Sequence, residues 1–429
     1  MLLYYILSCL FLRLFHCIIN KGKAQSKECA DEQGTYNLSD QGAVNDFHIL
    51  RRLTKNEGPV AVSEYIDESI NRWKKEQVKF AITGRSATGK STFINTIRNL
   101  RPGDDDFAKA GSGNTTITPT LYMHPKNDQI AFYDLPGYSS TTFKKEDYIC
   151  QMKISDYDFF FIFFNNVLGE DDIWLVGELR KLGKPFALVR SKIDIDIDNA
   201  IHDGTDPEMI QQKIKGKIQK ALNANPELKD TKGIFLISSR HPELGEWSEL
   251  MANIEENIDG IKAQALLFSL GCITKKMLER QYKMLQKRIA KATAVAASIA
   301  AIPLPGVDVV VNIALLANEV YHYLSVFEIN RKRVNSLRNF DHLLLKSNFM
   351  LGPNFDMPDF VVKKIGLYGA LLVVQSFTDL IFPLIGPVIS SGTTAWLIYR
   401  FLCDVLQDIY HDAVLIYEHI MKTNADHIM

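Results

Sequence analysis

The sequence predicts an α/β fold in which strands and helices alternate, followed by a helical region, and three observations carry this. Val78–Thr92 is a short apolar run leading into G-x-x-x-x-G-K-S, from Gly84 to Ser91, with a helical apolar pattern after it at Phe93, Ile94, Ile97 and Leu100. Further apolar runs recur at 116–122, 130–134, 159–164, 185–190 and 234–238. Helical patterns at 90–99, 170–182, 207–223 and 247–257 lie between or after them, an alternation that reads as βαβ units. Near Leu270 the composition shifts to long apolar helices.

The strand at 78–83 and the helix after it place Gly84–Ser91 in the strand–loop–helix setting of a phosphate-binding loop. Such a loop turns tightly and presses its N–H groups against phosphate oxygens, so a side chain at its glycines blocks the approach. The helix that follows adds unpaired N–H groups and the positive end of its dipole. Candidate nucleotide contacts are therefore Gly84, Arg85, Ser86, Ala87, Thr88, Gly89, Lys90, Ser91 and Thr92. Lys90 is the catalytic candidate, reaching the β- and γ-phosphates, and the Ser91 hydroxyl is a Mg²⁺ ligand candidate.

Which nucleotide is decided by later segments. Gln129–Gly137 is an apolar-rich strand running into D-x-x-G. Asp134 at the strand end suits Mg²⁺ held through water, and the Gly137 N–H suits a γ-phosphate contact that moves when the phosphate leaves. Pro185–Arg190 is a buried-type strand ending in Ser191-Lys192-Ile193-Asp194, similar to the N/T-K-x-D guanine motif with Ser in place of Asn or Thr. There the Asp194 carboxylate accepts hydrogen bonds from the guanine N1–H and N2 amine, a donor pair adenine lacks, and Lys192 helps hold the base. The serine keeps an ATPase open as an alternative. Gly233–Ser239 is an apolar strand ending in Ser238 and Ser239, where the guanine O6 is contacted. Between phosphate loop and D-x-x-G, Gly111–Tyr122 is rich in Gly and Thr and supplies the switch threonine. Thr116 is the first candidate to sense Mg²⁺ and γ-phosphate, and Thr115 the second. The metal set is thus Ser91, Thr116 and Asp134, and the catalytic pair Lys90 and Thr116.

On these residues the chain resembles the immunity-related GTPases, also called interferon-inducible p47 GTPases. The resemblance is carried by Gly84–Ser91, by Thr115-Thr116-Ile117-Thr118-Pro119-Thr120 with His124-Pro125, by Asp134–Gly137, by Tyr157–Ile162 and by Val189–Asp194. It runs from Asp46 to Leu270, is looser beyond, and is absent from the N-terminal segment. It implies a Ras-like G domain, a mostly parallel sheet with helices on both faces, inserted in an α-helical domain formed by both chain ends. It also implies GTP/GDP and Mg²⁺ as cofactors, weak intrinsic hydrolysis, GTP-dependent self-association through G domains, and action at intracellular membranes in cell-autonomous immunity. Lys90 is similar to the branch with the ordinary phosphate-loop lysine. Tyr138 follows D-x-x-G where many small GTPases have a water-orienting Gln. Slow hydrolysis that needs a second G domain is the expectation; a GTP-dependent structural or membrane-binding protein with negligible hydrolysis is the alternative.

The 429 residues suit two domains, and a net charge of −1 gives no electrostatic ground for a nucleic-acid partner. Six cysteines at 9, 17, 29, 150, 272 and 403 show no metal-ligand spacing and fit a reduced cytoplasm. The expected division is an apolar leader or anchor at 1–25, a polar linker at 26–42, an N-terminal helical part at 43–77, the G domain at 78–262 and a helical domain at 263–429. Val62, Ile66, Ile70 and Trp73 recur at helical spacing. Leu2–Leu12 is uncharged but short for a span and lacks a basic n-region before it. A membrane-anchoring or interfacial segment is expected there, with a non-native leader second. Residue 2 is Leu, so the family's myristoylation signal is missing. Ala292–Val307 and Leu380–Tyr399 are uncharged stretches broken by prolines and glycines. They are expected to form buried helical hairpins rather than membrane-inserting ones.

Overall fold

A computed structural model describes residues 49, 52–53, 56–57, 59–109, 118–138, 145–164, 167–229, 231–271, 274–300, 307–367 and 386–426. The leader at 1–25, the linker at 26–42, Thr115 and Thr116, Pro303 and Pro305, and 380–385 lie outside these residues. The chain divides into two compact units, Trp73–Gln281 and the union of Met1–Arg72 with Tyr282–Met429.

In chain order the elements are α1 (Pro59–Ile70), β1 (Val78–Gly84), α2 (Lys90–Ile97), β2 (Thr120–His124), β3 (Asn127–Asp134), α3 (Lys145–Gln151), β4 (Phe159–Phe164), α4 (Glu170–Lys181), β5 (Phe186–Arg190), α5 (Ile193–His202) and α6 (Pro207–Asn223). There follow β6 (Ile234–Leu236), α7 (Trp247–Asn257), α8 (Gly260–Ser269), α9 (Lys275–Ala300), α10 (Val307–Val326), α11 (Arg331–Asn335), α12 (Met357–Leu367) and α13 (Gly386–Asp426).

Among the described residues six strands form one sheet in the order β2-β3-β1-β4-β5-β6. Only β2 runs antiparallel, against β3; the other pairs are parallel. A strand covered on both faces needs no polar alternation, and β4 is six consecutive apolar residues, all buried. On one face Phe161, itself against Phe80, and Phe163 meet Phe93 of α2, which stacks on Trp247 of α7 at 5.1 Å between ring centroids. On the other, Ala81, Phe160, Ile162, Phe164 and Leu188 pack with Tyr148 of α3, Leu175 and Leu179 of α4, Ile193 and Ile197 of α5 and Leu222 of α6. Fully burying each such ring or aliphatic chain contributes about 1.5–3 kcal/mol. The result is the predicted α/β class, a mostly parallel sheet with helices on both faces and helical segments at the chain ends.

Several details differ from the pattern reading: β2 is Thr120–His124 where the pattern reads 116–122, and β6 ends at Leu236 where it reads 238. β3 begins at Asn127, not 130, because it pairs with β2 as a hairpin whose register shifts between Met123 and His124. The segment after Lys192, to which the pattern reading assigns no element, is helical, burying Ile193, Ile197 and Ala200 at helical spacing, although its Ile-Asp alternation has the period of a strand.

In the helical unit α10 packs against α1, α12 and α13. Arg288 of α9 and Glu319 of α10 form a buried pair, with Nε at 2.9 and 3.1 Å from the two carboxylate oxygens and Nη2 at 2.7 Å from Oε1. Asp412 of α13 is fully buried and accepts from the Lys346 and Ser347 N–H groups and the Ser347 hydroxyl. Among the described residues no helix is long and apolar enough to cross a membrane.

Candidate functional site

Strand order reverses about β1, whose parallel neighbours β3 and β4 lie on opposite sides. Ligands of open α/β sheets bind outside the carboxyl ends of strands at such a point. The predicted residues that lie among those described converge there, on the loops after β1, β3, β5 and β6; Thr116 lies outside the described residues.

Gly84 ends β1 with φ 138, and a Cβ on it would lie 2.0 Å from the Phe163 carbonyl of β4. Only glycine lets the strand leave the sheet at this point. Arg85, Ser86 and Ala87 are exposed and Thr88 is buried, its hydroxyl donating to the Arg85 carbonyl at 2.7 Å. Lys90 opens α2 and lays its Nζ back across the loop, 2.9 Å from the carbonyls of both Gly84 and Arg85. Ser91 and Thr92 are half-buried in the first turn.

Asp134 closes β3. Its Oδ1 is buried and has no hydrogen-bond partner among the described residues. Burial pushes this carboxyl above the usual range, and the Lys90 charge pulls it back. Burial lowers the Lys90 pKa in turn, opposed by Asp134. An open carboxylate oxygen and a half-buried serine hydroxyl suit magnesium, which takes one or two protein oxygens and completes its shell with water and phosphate. Among the described residues no group of three or more His, Cys, Asp or Glu forms an all-protein metal cage.

The residues expected on the base side include two that are tied to the loop after β1. The Ser191 hydroxyl donates to the Thr88 carbonyl, and a Cβ on Gly89 (φ 93) would lie 2.5 Å from that hydroxyl oxygen. Lys192 takes a left-handed conformation, φ 66, and its Nζ donates to the Ala87 carbonyl at 2.8 Å. Asp194 is half-buried in the first turn of α5. Ser238 is buried; its carbonyl accepts the Trp247 indole N–H at 2.8 Å and its hydroxyl the His241 N–H at 2.9 Å. The Ser239 carbonyl accepts from Thr96, while its hydroxyl oxygen is buried with no partner among the described residues.

Gly137 lies beside the phosphate loop, where a Cβ on it would be 3.6 Å from the Gly84 carbonyl. Sequence reasoning identified Tyr138 without its partner. The ring is buried, and its hydroxyl donates to Asp172 in the first turn of α4. Tyr148 of α3 was missed altogether; its hydroxyl donates to the Pro136 carbonyl at 2.9 Å and lies 3.1 Å from the Thr83 hydroxyl. No local pattern marks either pairing, since the partners are far apart in sequence.

Sheet order, a glycine-bounded loop leaving the central strand, and a loop after β5 bonded to it define a P-loop G-domain fold. The profile of the interferon-inducible GTPases (IIGP) matches residues 46–341. Interferon-inducible GTPase 5 of Rattus norvegicus is 27% identical over 390 residues, 86% of this chain and 81% of that protein. Interferon-gamma-inducible GTPase 10 of Mus musculus is 30% identical over 247 residues, 57% of this chain and 58% of that one. Among solved structures, an Era variant of Aquifex aeolicus bound to GDP·AlF4⁻ aligns with 43% of this chain and 57% of its own, at 20% identity and a TM-score of 0.31. The chain belongs to the interferon-inducible GTPase family and is a GTPase.

Proposed function

We propose that the chain binds GTP with Mg²⁺ at the carboxyl ends of β1, β3, β5 and β6, hydrolyses it to GDP, and is activated by self-association of its G domains at an intracellular membrane in immune defence. The observation that carries the nucleotide reading is Lys90 lying across the phosphate loop beside the partnerless Asp134 oxygen. In this reading Lys90 turns from two carbonyls to the β- and γ-phosphate oxygens and neutralises charge as the bond to the leaving β-phosphate oxygen breaks. Ser91, Thr116 and Asp134 would hold the metal ion, which supplies further charge neutralisation when bound. Gly84–Thr92 cradle the phosphates, Gly137 contacts the γ-phosphate, and Ser191, Lys192, Asp194, Ser238 and Ser239 enclose guanine.

Self-association rests on Tyr138. Its ring is buried and its hydroxyl engaged by Asp172, so it does not orient an attacking water as the usual glutamine does. Supply of that function by a second molecule accounts for this. The apolar segment at 2–19 supports a membrane role, and the interferon-inducible relatives support immunity. A cytoplasmic protein partly bound to membranes is the matching location. Single-turnover hydrolysis at several protein concentrations, with membrane pelleting in GDP and in a GTP analogue, tests the proposal. The rate per molecule rises with concentration, and pelleting is greater with the analogue. A rate independent of concentration sinks activation by assembly, and a protein that stays in the supernatant in both nucleotides sinks the membrane role.

A further inference from the structure

Gly137 is held from both sides. On one side the Tyr148 hydroxyl donates to the Pro136 carbonyl at 2.9 Å. On the other, Tyr138 follows Gly137 directly, and its hydroxyl donates to Asp172 Oδ1. Asp172 is buried and its second oxygen accepts the Gly169 N–H at 2.7 Å, so one carboxylate caps α4 and grips the D-x-x-G loop together. Burial first, and then the Asp172 charge, raise the Tyr138 pKa far above the ordinary phenol value, so the hydroxyl keeps its proton to donate. Arg85, the second residue of the phosphate loop, lies over the same spot: a Cβ on Gly169 would stand 2.2 Å from its guanidinium. Phosphate loop, D-x-x-G loop and the start of α4 therefore meet around one phenol.

We propose that Tyr138 and Asp172 form a latch that pre-sets the Gly137 N–H for the γ-phosphate, making Tyr138 a positioning residue for hydrolysis. This rests on the reading of Gly137 as a γ-phosphate contact. With the latch closed, the loop stands ready before nucleotide arrives. With it open, only a fraction of molecules present Gly137 in place, and affinity for a γ-phosphate-bearing nucleotide falls by that fraction. GDP does not reach Gly137, so its affinity stays the same.

The test uses the full chain and measures dissociation constants for GDP and a non-hydrolysable GTP analogue, together with kcat and KM. Tyr138→Phe keeps the ring beside Tyr148, at 6.0 Å between centroids, and removes the hydroxyl alone. Its analogue affinity and kcat fall about three- to tenfold, with GDP affinity unchanged. Gly137→Pro removes the N–H itself and gives a larger loss in the same nucleotide. The ratio of the two affinities, taken on one preparation, is insensitive to the fraction that is folded. Equal losses for both nucleotides in Tyr138→Phe, or no loss, overturn the latch. If Gly137→Pro shifts the ratio and Tyr138→Phe does not, the latch alone has failed. If Gly137→Pro also leaves the ratio unchanged, the γ-phosphate reading of Gly137 has failed and takes the latch with it.

Discussion

Glu319 in the helical unit and Asp134 in the sheet unit are both carboxylates with buried oxygens, but their surroundings are opposite. Arg288 takes both oxygens of Glu319, and its other N–H groups go to the Ile70 carbonyl at 2.6 Å and the Asn71 side chain at 2.9 Å. Every charge in that cluster is answered within the unit. Asp134 faces one cation, Lys90, and keeps Oδ1 open. The first arrangement is complete as it stands. The second leaves binding capacity in place for a ligand to fill, at some expense to the free protein. Buried charge alone does not distinguish a structural pair from a site; unmet valence does.

Breaking the complete pair gives the largest effect. Arg288→Ala strands the Glu319 carboxylate and costs about 3–5 kcal/mol in denaturant unfolding, while the double change Arg288→Met with Glu319→Leu restores most of it. A loss below about 1 kcal/mol would mean that the pair is solvated, and the contrast with Asp134 would dissolve. Next comes Lys90→Ala, which weakens GTP binding at least about tenfold in calorimetry, because a point charge on the phosphates is removed and no other loop residue replaces it. Unchanged affinity in a folded variant would remove the phosphate-loop assignment.

The smallest effect is the most diagnostic. The raised Asp134 pKa means that the folded chain holds this proton more tightly than the unfolded chain. Stability of the nucleotide-free protein therefore falls as pH rises from the usual carboxylate range near about 4 through the raised value, and the penalty is fully present above it. Asp134→Asn abolishes the penalty. It stabilises the free protein by up to about 1 kcal/mol at neutral pH, with the gain fading toward pH 4. Thermal melts at both pH values show it, and an Asn variant less stable than the parent at neutral pH would reveal a partner for Asp134.

The parts of this molecule legible in the sequence are those set by short-range constraint. Phe159–Phe164 reads as a doubly covered strand because nothing but burial suits six apolar residues in a row. Gly84 and Gly89 read as loop glycines because phosphate leaves no room for side chains. The parts not legible depend on partners distant in the chain. α5 reads as alternating because isoleucine and aspartate alternate from 193 to 198, and only burial of Ile193 and Ile197 against the sheet decides for the helix. Tyr138 is visible as a departure from glutamine, whereas Asp172 as its acceptor is not. Arg288 and Glu319 lie on separate helices, and neither advertises the other.

The contact between Gly89 and Ser191 also bears on how the chain can change over generations. A methyl group at 89 would collide with the Ser191 hydroxyl in a backbone conformation that side chains already resist. Trimming position 191 to make space would sever the link to the Thr88 carbonyl. Neither step is open alone, and the glycine backbone conformation makes even the paired step costly. Two positions far apart in the sequence are thus coupled by one close approach and one hydrogen bond, and a change at either is felt at the other.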